Sequence, residues 1–154
     1  NILQKYHRPT VYVGLDLVQS QVATANTRLA TFGPSSLVFV QGSACELPFP
    51  DNSFDVVINV ESSHCYHPFV SYLREVKRVL MPKGDFLFED FRSNDNELEL
   101  MLGQIRDVFG DGVEVVDISA NVQKSMEMNK EYIDQRIEEC MKFATRYSCE
   151  SYWR

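Results

Sequence analysis

Between Gln41 and Arg92 the chain reads QGSACELPFPDNSFDVVINVESSHCYHPFVSYLREVKRVLMPKGDFLFEDFR, and this stretch leaves few choices of architecture. It offers a strand end, a turn rich in Pro and Asp, an apolar strand over Phe54 to Val60, a histidine-bearing loop, a helix, and another strand from Phe86 to Phe91. In the helix Phe69, Leu73, Val76 and Leu80 mark one face and Glu75, Lys77 and Arg78 the other, with Pro82-Lys83-Gly84 expected to close it. The flanks follow the same grammar. Thr10 to Asp16 (TVYVGLD) follows Pro9 and lacks clean alternation, as in a parallel strand buried on both faces. Val18, Val22, Ala25 and Leu29 then recur at helical spacing up to a stop at Gly33-Pro34, and Leu37 to Gln41 is a short apolar strand. Downstream, Leu98, Leu102, Ile105 and Phe109 predict a helix ended by Gly110. Val113 to Ile118 predicts a fifth strand, and Ile133, Ile137, Met141 and Ala144 a last long helix. Strands alternating with helices predict an α/β domain with a mostly parallel sheet and right-handed crossovers. At 154 residues and 44% hydrophobic content, residues 1–154 are expected to form a single domain without a linker.

Charge narrows the partners. A formal net charge of -7 leaves no basic stripe to neutralise phosphates, so a small molecule is expected in place of a nucleic acid. Cys45, Cys65, Cys140 and Cys149 lack CxxC spacing and are read as free thiols of a reducing compartment. No apolar run of about 18 residues is present, and the start NILQKYHRPT has neither the apolar core nor the cleavage site of a signal peptide. A cytoplasmic location without a membrane span is therefore expected. No internal repeat or low-complexity segment interrupts the chain.

In an open α/β sheet ligands sit at the carboxyl ends of the strands, which singles out the residues where each strand stops. Asp16 ends the first strand. Its carboxylate can accept two hydrogen bonds from a ribose diol, or it can cap the helix that begins near Val18. Leu17 and Val18 offer an apolar wall beside it. Ser43-Ala44 follow the second strand, where a side-chain oxygen and a backbone N–H can read the polar edge of an adenine ring, unless Ser43 is only a turn serine. Asp51 and Asn52 look like turn formers and Phe54 like a core anchor. The third strand runs out through Asn59, Val60, Glu61, Ser62, Ser63, His64, Cys65, Tyr66 and His67. A hydroxyl nucleophile needs a proton acceptor with a pKa near the working pH, which histidine supplies. His64 is the first candidate and His67 the second; a histidine that hydrogen-bonds the loop backbone is the competing reading. Three zinc ligands within His64 to His67 would be crowded and lack a fourth, so no metal is expected. Glu89, Asp90 and Arg92 either line an acceptor pocket or form a solvated edge. Met126, Met128, Tyr132, Phe143 and Tyr147 either form an apolar lid or pack as helical core.

Taken together, these strand ends resemble the class I S-adenosylmethionine-dependent methyltransferase superfamily, in its small-molecule branch. VYVGLDLVQSQV is similar to the family's second-strand segment, whose acidic residue binds the cofactor ribose, which implies that role for Asp16. GSACELPFPDNSFDVV is similar to its adenine-side segment. An Asp is usual at the position of Ser43, so the contact to the adenine amino group is weakened while the Ala44 backbone contact can survive. INVESSHCYHPFVSYLREVKRVLMPKGDFLFEDFR is especially similar to the phthiotriol and phenolphthiocerol dimycocerosate O-methyltransferases, which methylate a secondary alcohol on a lipid. On that likeness His64 stands where a base is expected. DISANVQKSMEMN extends the similarity, which runs from roughly Tyr6 to Lys130. The expected cofactor contacts are thus Asp16, Leu17, Ser43, Ala44, Asn59 and Glu61.

The family also has a first strand and a GxGxG loop upstream, where only glycine permits the close approach to the methionine part of the cofactor. That loop is not in this sequence, and Asn1 to Arg8 looks like the tail of the helix that follows it. The closing antiparallel strand pair after the last helix is missing as well. Because the first strand lies mid-sheet, its absence leaves backbone groups unpaired on both sides. A fragment, a set of ordered segments, or a truncated form that self-associates to complete the sheet would each account for this. The reaction implied is methyl transfer to a small-molecule acceptor, foremost O-methylation of a hydroxyl on a lipid- or polyketide-like substrate by in-line displacement. Positioning alone can supply about 7 to 11 kcal/mol of such a barrier. The rival readings are a non-catalytic interaction module that keeps the fold, a fragment unable to bind the cofactor, and a nicotinamide-dependent oxidoreductase. The Ser43-Ala44 segment and the Glu61 to His64 loop argue against the last.

Overall fold

A computed structural model describes residues 11–32 and 37–148. In chain order these form β1 (Tyr12–Asp16), α1 (Gln19–Phe32), β2 (Leu37–Gln41), β3 (Phe54–Val60), a single 3-10 turn (Ser63–Cys65), α2 (Phe69–Val79) and β4 (Leu80–Glu89). They continue with α3 (Asp95–Phe109), α4 (Ser119–Met128) and α5 (Lys130–Ser148). The chain divides into two compact units between Val113 and Glu114. The second unit contains α4 and α5. The expected stop at Gly33-Pro34, and the upstream helix tail over residues 1–8, lie outside the described residues.

In the first unit the strands pair two by two and in parallel. β1 lies beside β2 with Tyr12 opposite Leu37 and Asp16 opposite Gln41; β3 lies beside β4 with Val57 opposite Phe86 and Val60 opposite Glu89. No ladder joins the two pairs among the described residues. This is the arrangement expected of a sheet whose central strand is not among them. The far edge of β2 is already occupied. Phe39 turns its N–H and C=O away from β1, where the Asn26 side chain accepts from the first at 3.0 Å and donates to the second at 2.8 Å. One carboxamide from α1 thus mimics a neighbouring strand and blocks pairing there.

The core sits where α2 packs on β3, β4 and α3. Tyr72, Leu73, Val76, Leu80, Met101 and Ile105 form its buried centre, with Val57, Phe86, Phe88 and Phe109 packed around it. Positions 72, 73, 76 and 79 share one face of α2, as the helical repeat requires, and Leu73 and Val76 are fully buried. Asn94 caps α3 by accepting from the Glu97 amide at 3.0 Å. Gly110, at φ 84°, ends it in the left-handed region.

Two expectations are corrected. The fourth strand begins at Leu80 and not at Phe86, because α2 runs directly into it and Leu80 pairs with Phe54. Pro82-Lys83-Gly84 therefore forms a bulge inside β4 instead of closing the helix; the register jumps from Phe54 opposite Leu80 to Val56 opposite Asp85. Gly84 fits this bulge because a Cβ there would come within 2.9 Å of the Asp55 carbonyl oxygen. Val113 to Ile118 forms no strand: the segment pairs with nothing among the described residues, and Val115 and Val116 are exposed. Apolar, β-branched sequence makes a strand only where an edge is available to pair with.

Candidate active site

Parallel pairing in register brings the carboxyl ends of β1 and β2 side by side, about 4.8 Å apart. The Gly42 N–H donates to the Asp16 carbonyl at 3.0 Å, so the turn carrying Ser43 and Ala44 starts next to Asp16. Both readings of Asp16 are compatible here. Its Oδ1 accepts from the Val18 N–H at 2.7 Å and caps the entry to α1, while Oδ2 accepts nothing among the described residues. Leu17 is 69% exposed beside it. Ser43 is committed to its own turn, with Oγ accepting from the Cys45 N–H at 3.2 Å. The Ala44 N–H donates to nothing among the described residues. A carboxylate oxygen and a backbone N–H without partners among the described residues, with an apolar side chain between them in sequence, are groups that could take a ribose and an adenine.

The loop that leaves Ala44 is held from α2. Arg78 donates to the carbonyls of Phe49 at 2.8 Å and Leu47 at 3.0 Å, and pairs with Asp51 and Glu75. Glu75 in turn accepts from the Leu47 N–H at 2.7 Å. The Arg78 hydrogen bond outweighs partial burial and holds the Glu75 carboxyl below its usual range. Leu47 to Asp51 is thereby fixed, and the Ser43-Ala44 turn with it.

At the second strand pair the chain turns sharply after β3. Glu61 sits at φ 46°, a left-handed conformation, with its N–H on the Glu89 carbonyl at 2.9 Å. Asn59 points inward: it is 9% exposed and its Nδ2 donates to Ser62 at 2.9 Å. Its Oδ1 and the buried Tyr72 hydroxyl have no hydrogen-bond partner among the described residues. His64 and Asp90 meet across the two strand ends, Nδ1 to Oδ1 at 3.0 Å, with the His64 ring 36% exposed and the Asp90 carboxylate fully buried. Asp90 also accepts from Ser63 Oγ at 2.5 Å, the His64 N–H at 3.1 Å and the Phe91 N–H at 2.9 Å. Arg92 stands 3.5 Å from the same carboxylate, donates to Ser63 Oγ at 3.2 Å and lies over the Phe69 ring. The Phe91 ring covers one side of His64 at 5.0 Å.

Burial pushes the Asp90 pKa up, but the hydrogen bonds from Ser63, His64 and Phe91 and the Arg92 charge prevail and hold it at about 2, against an ordinary 3.8. A carboxyl whose folded pKa is depressed stabilises the fold above its unfolded pKa and loses that contribution as pH falls through the folded one. The unfolding free-energy gap between wild type and Asp90→Asn should therefore shrink between pH 4 and pH 2, by on the order of 1 to 2 kcal/mol after discounting for solvent screening. Denaturant titrations of the full-length proteins across that range test this. Parallel pH dependences would mean that folding does not lower the Asp90 pKa. Glu89 moves the other way: burial, then the negative charges of Glu61 and Asp90, push its carboxyl up.

The structure thus gathers Asp16, Leu17, Ser43 and Ala44 at one edge and Asn59, Glu61 and His64 at the other. No hydrogen bond links the two groups among the described residues. Asn59 braces the loop with its side chain. His67, the second candidate, makes no hydrogen bond among the described residues. The loop-backbone reading of His64 is not what the ring does: its bond goes to a carboxylate. Asp90, Ser63 and Arg92 are the residues whose part the sequence left undefined. The signal was Asp90's place one residue beyond the end of β4, beside the strand that leads to His64. No group of three His, Cys, Asp or Glu side chains is arranged to hold a metal among the described residues.

A family profile described as a methyltransferase domain matches residues 1–88. The phthiotriol/phenolphthiotriol dimycocerosates methyltransferase of Mycobacterium tuberculosis is 35% identical over 142 residues, covering 90% of this chain and 51% of its own. The fatty-acid O-methyltransferase of Mycolicibacterium smegmatis is 49% identical over 90 residues, covering 58% of this chain and 32% of its own. The chain spans about half the length of the first of these relatives and about a third of the second. The crystal structure of the cyclase SpnF superposes with a TM-score of 0.57 at 25% identity, over 70% of this chain and 45% of that one. The strand-end geometry and these likenesses agree, and the chain belongs to the methyltransferase-domain family, whose cofactor is S-adenosylmethionine.

Proposed function

We propose that the protein transfers a methyl group from S-adenosylmethionine to an oxygen of a lipid-like acceptor, foremost a hydroxyl. The observations that carry this reading are the pairing of Asp16 with the Gly42 to Ala44 turn on adjacent strand ends and a histidine held by a buried carboxylate after β3. Asp16 Oδ2 would accept from the ribose diol, the Ala44 N–H would donate to the adenine ring, and Leu17 would pack against it. Glu61, at the turn after β3, and Asn59, through its hold on that turn, would shape the rest of the cofactor edge. The chemistry supplied by S-adenosylmethionine, when bound, is an electrophilic methyl group. His64 would take the hydroxyl proton as the acceptor oxygen forms its new bond, and Phe91 would shield the ring from water. The similarity to enzymes named for phthiotriol dimycocerosates and for fatty acids supports a lipid acceptor.

The free thiols of Cys45 and Cys65 support a reducing, cytoplasmic setting, and no helix among the described residues is long and apolar enough to cross a membrane. Self-association that completes the sheet would have to use strand edges other than the outer edge of β2, which Asn26 occupies.

Calorimetric titration of S-adenosylhomocysteine into the full-length protein tests the cofactor reading. Micromolar affinity is expected, weakened on the order of tenfold to a hundredfold in Asp16→Ala, as for the loss of hydrogen bonds to a charged acceptor. Binding of NAD in competition, or none of S-adenosylhomocysteine, would overturn it.

A further inference from the structure

We propose that Asp90 is the positioning residue of this site: it fixes His64 in the tautomer that carries its proton on Nδ1, leaving the Nε2 lone pair free for an acceptor hydroxyl. This rests on the reading of His64 as the base and assigns a part to residues it did not include. Asp90 Oδ2 takes Ser63 Oγ at 2.5 Å and the His64 N–H at 3.1 Å, while Oδ1 takes the Phe91 N–H at 2.9 Å. With Arg92 at 3.5 Å, the carboxylate is surrounded by donors and is fully buried. A carboxylate so surrounded is an acceptor only, so the remaining contact, to His64 Nδ1 at 3.0 Å, requires the ring to donate. In a neutral imidazole one nitrogen donates and the other accepts, so Nε2 is the acceptor.

The same carboxylate holds the ring and the backbone of one residue, His64, through two different bonds. It therefore sets the tautomer of the ring and anchors the turn that carries it. Ser63 is 1% exposed and bonds Asp90 on one side and Arg92 on the other. Arg92 adds its positive charge 3.5 Å from the same buried carboxylate.

The test is the imidazole nitrogen spectrum of full-length, nitrogen-15-labelled protein above the histidine titration, with His64→Gln used to assign the signal. Wild type should show a protonated Nδ1 and an unprotonated Nε2. Asp90→Asn should shift His64 toward the Nε2–H form that free histidine favours, whereas Ser63→Ala, which leaves the Oδ1 to Nδ1 bond in place, should keep the wild-type pattern. An Nε2–H tautomer in wild type would overturn the proposal even if no variant folds, and so would an unchanged pattern in Asp90→Asn. Turnover separates the two readings. A tautomer shift with kcat down on the order of tenfold or more and KM nearly unchanged supports both. A shift with unchanged turnover supports the positioning role and removes His64 as the base.

Discussion

His64→Ala in the full-length protein should lower turnover by about 10²- to 10⁴-fold while leaving S-adenosylhomocysteine affinity near wild type. That range is what a positioned proton acceptor contributes, and it corresponds to roughly 3 to 5 kcal/mol of barrier. The expectation is tied to oxygen as the acceptor atom. A hydroxyl must lose its proton as the new bond forms, whereas an amine or thiol acceptor depends less on a base. The split between the two readouts follows from the placement of the residues. His64 belongs to the turn after β3, and the proposed ribose and adenine contacts belong to the ends of β1 and β2, with no hydrogen bond between the groups among the described residues. A loss of less than a few-fold would rule out His64 as the base and leave a site that works by positioning alone.

Much of the first unit was legible because its strands and helices carry periods that few other structures satisfy. β2 and β3 fall where apolar runs end in turn residues, and α3 ends at the glycine that its spacing predicts. Those signals are local. What the sequence hid is non-local. The early start of β4 depends on Leu80 finding Phe54 across a bulge, a pairing that no property of Met81 to Gly84 announces. Val113 to Ile118 has the composition of a strand but no edge to join, and composition cannot report on the partner. The candidate site divides in the same way. Asp16 and His64 could be singled out as candidates because strand ends in a parallel sheet collect ligands. Asp90 was legible as a position and not as a partner: its bond to His64 spans 26 residues and exists only because β3 and β4 run parallel in register. The two roles offered for Asp16 were never exclusive, since a carboxylate has two oxygens and the helix cap uses one.

Leu73→Ala should destabilise the full-length protein by about 3 to 5 kcal/mol, the range for a leucine removed from a core that cannot collapse around the gap. Leu73 is 0% exposed at the centre of α2, among Tyr72, Val76, Leu80, Met101 and Ile105. Collapse is hindered because its neighbours are fixed for other reasons. Tyr72 packs edge-on against Tyr66 at 4.9 Å, and Leu80 is held opposite Phe54 in the ladder. Met101→Leu, a volume-conserving change in the same cluster, should cost less than about 1.5 kcal/mol and serves as the control. Denaturant midpoints at constant m-value measure both; a Leu73→Ala loss below about 1 kcal/mol would mean the packing around α2 is not close. The consequence reaches the site through the chain. α2 carries Glu75 and Arg78, which hold the loop after Ala44, and it begins four residues beyond the turn that bears His64. Near its midpoint, therefore, Leu73→Ala should lose hydrogen-exchange protection at the Leu47 and Val76 amides together, because one helix supports the loop after Ala44 and leads on from the histidine turn.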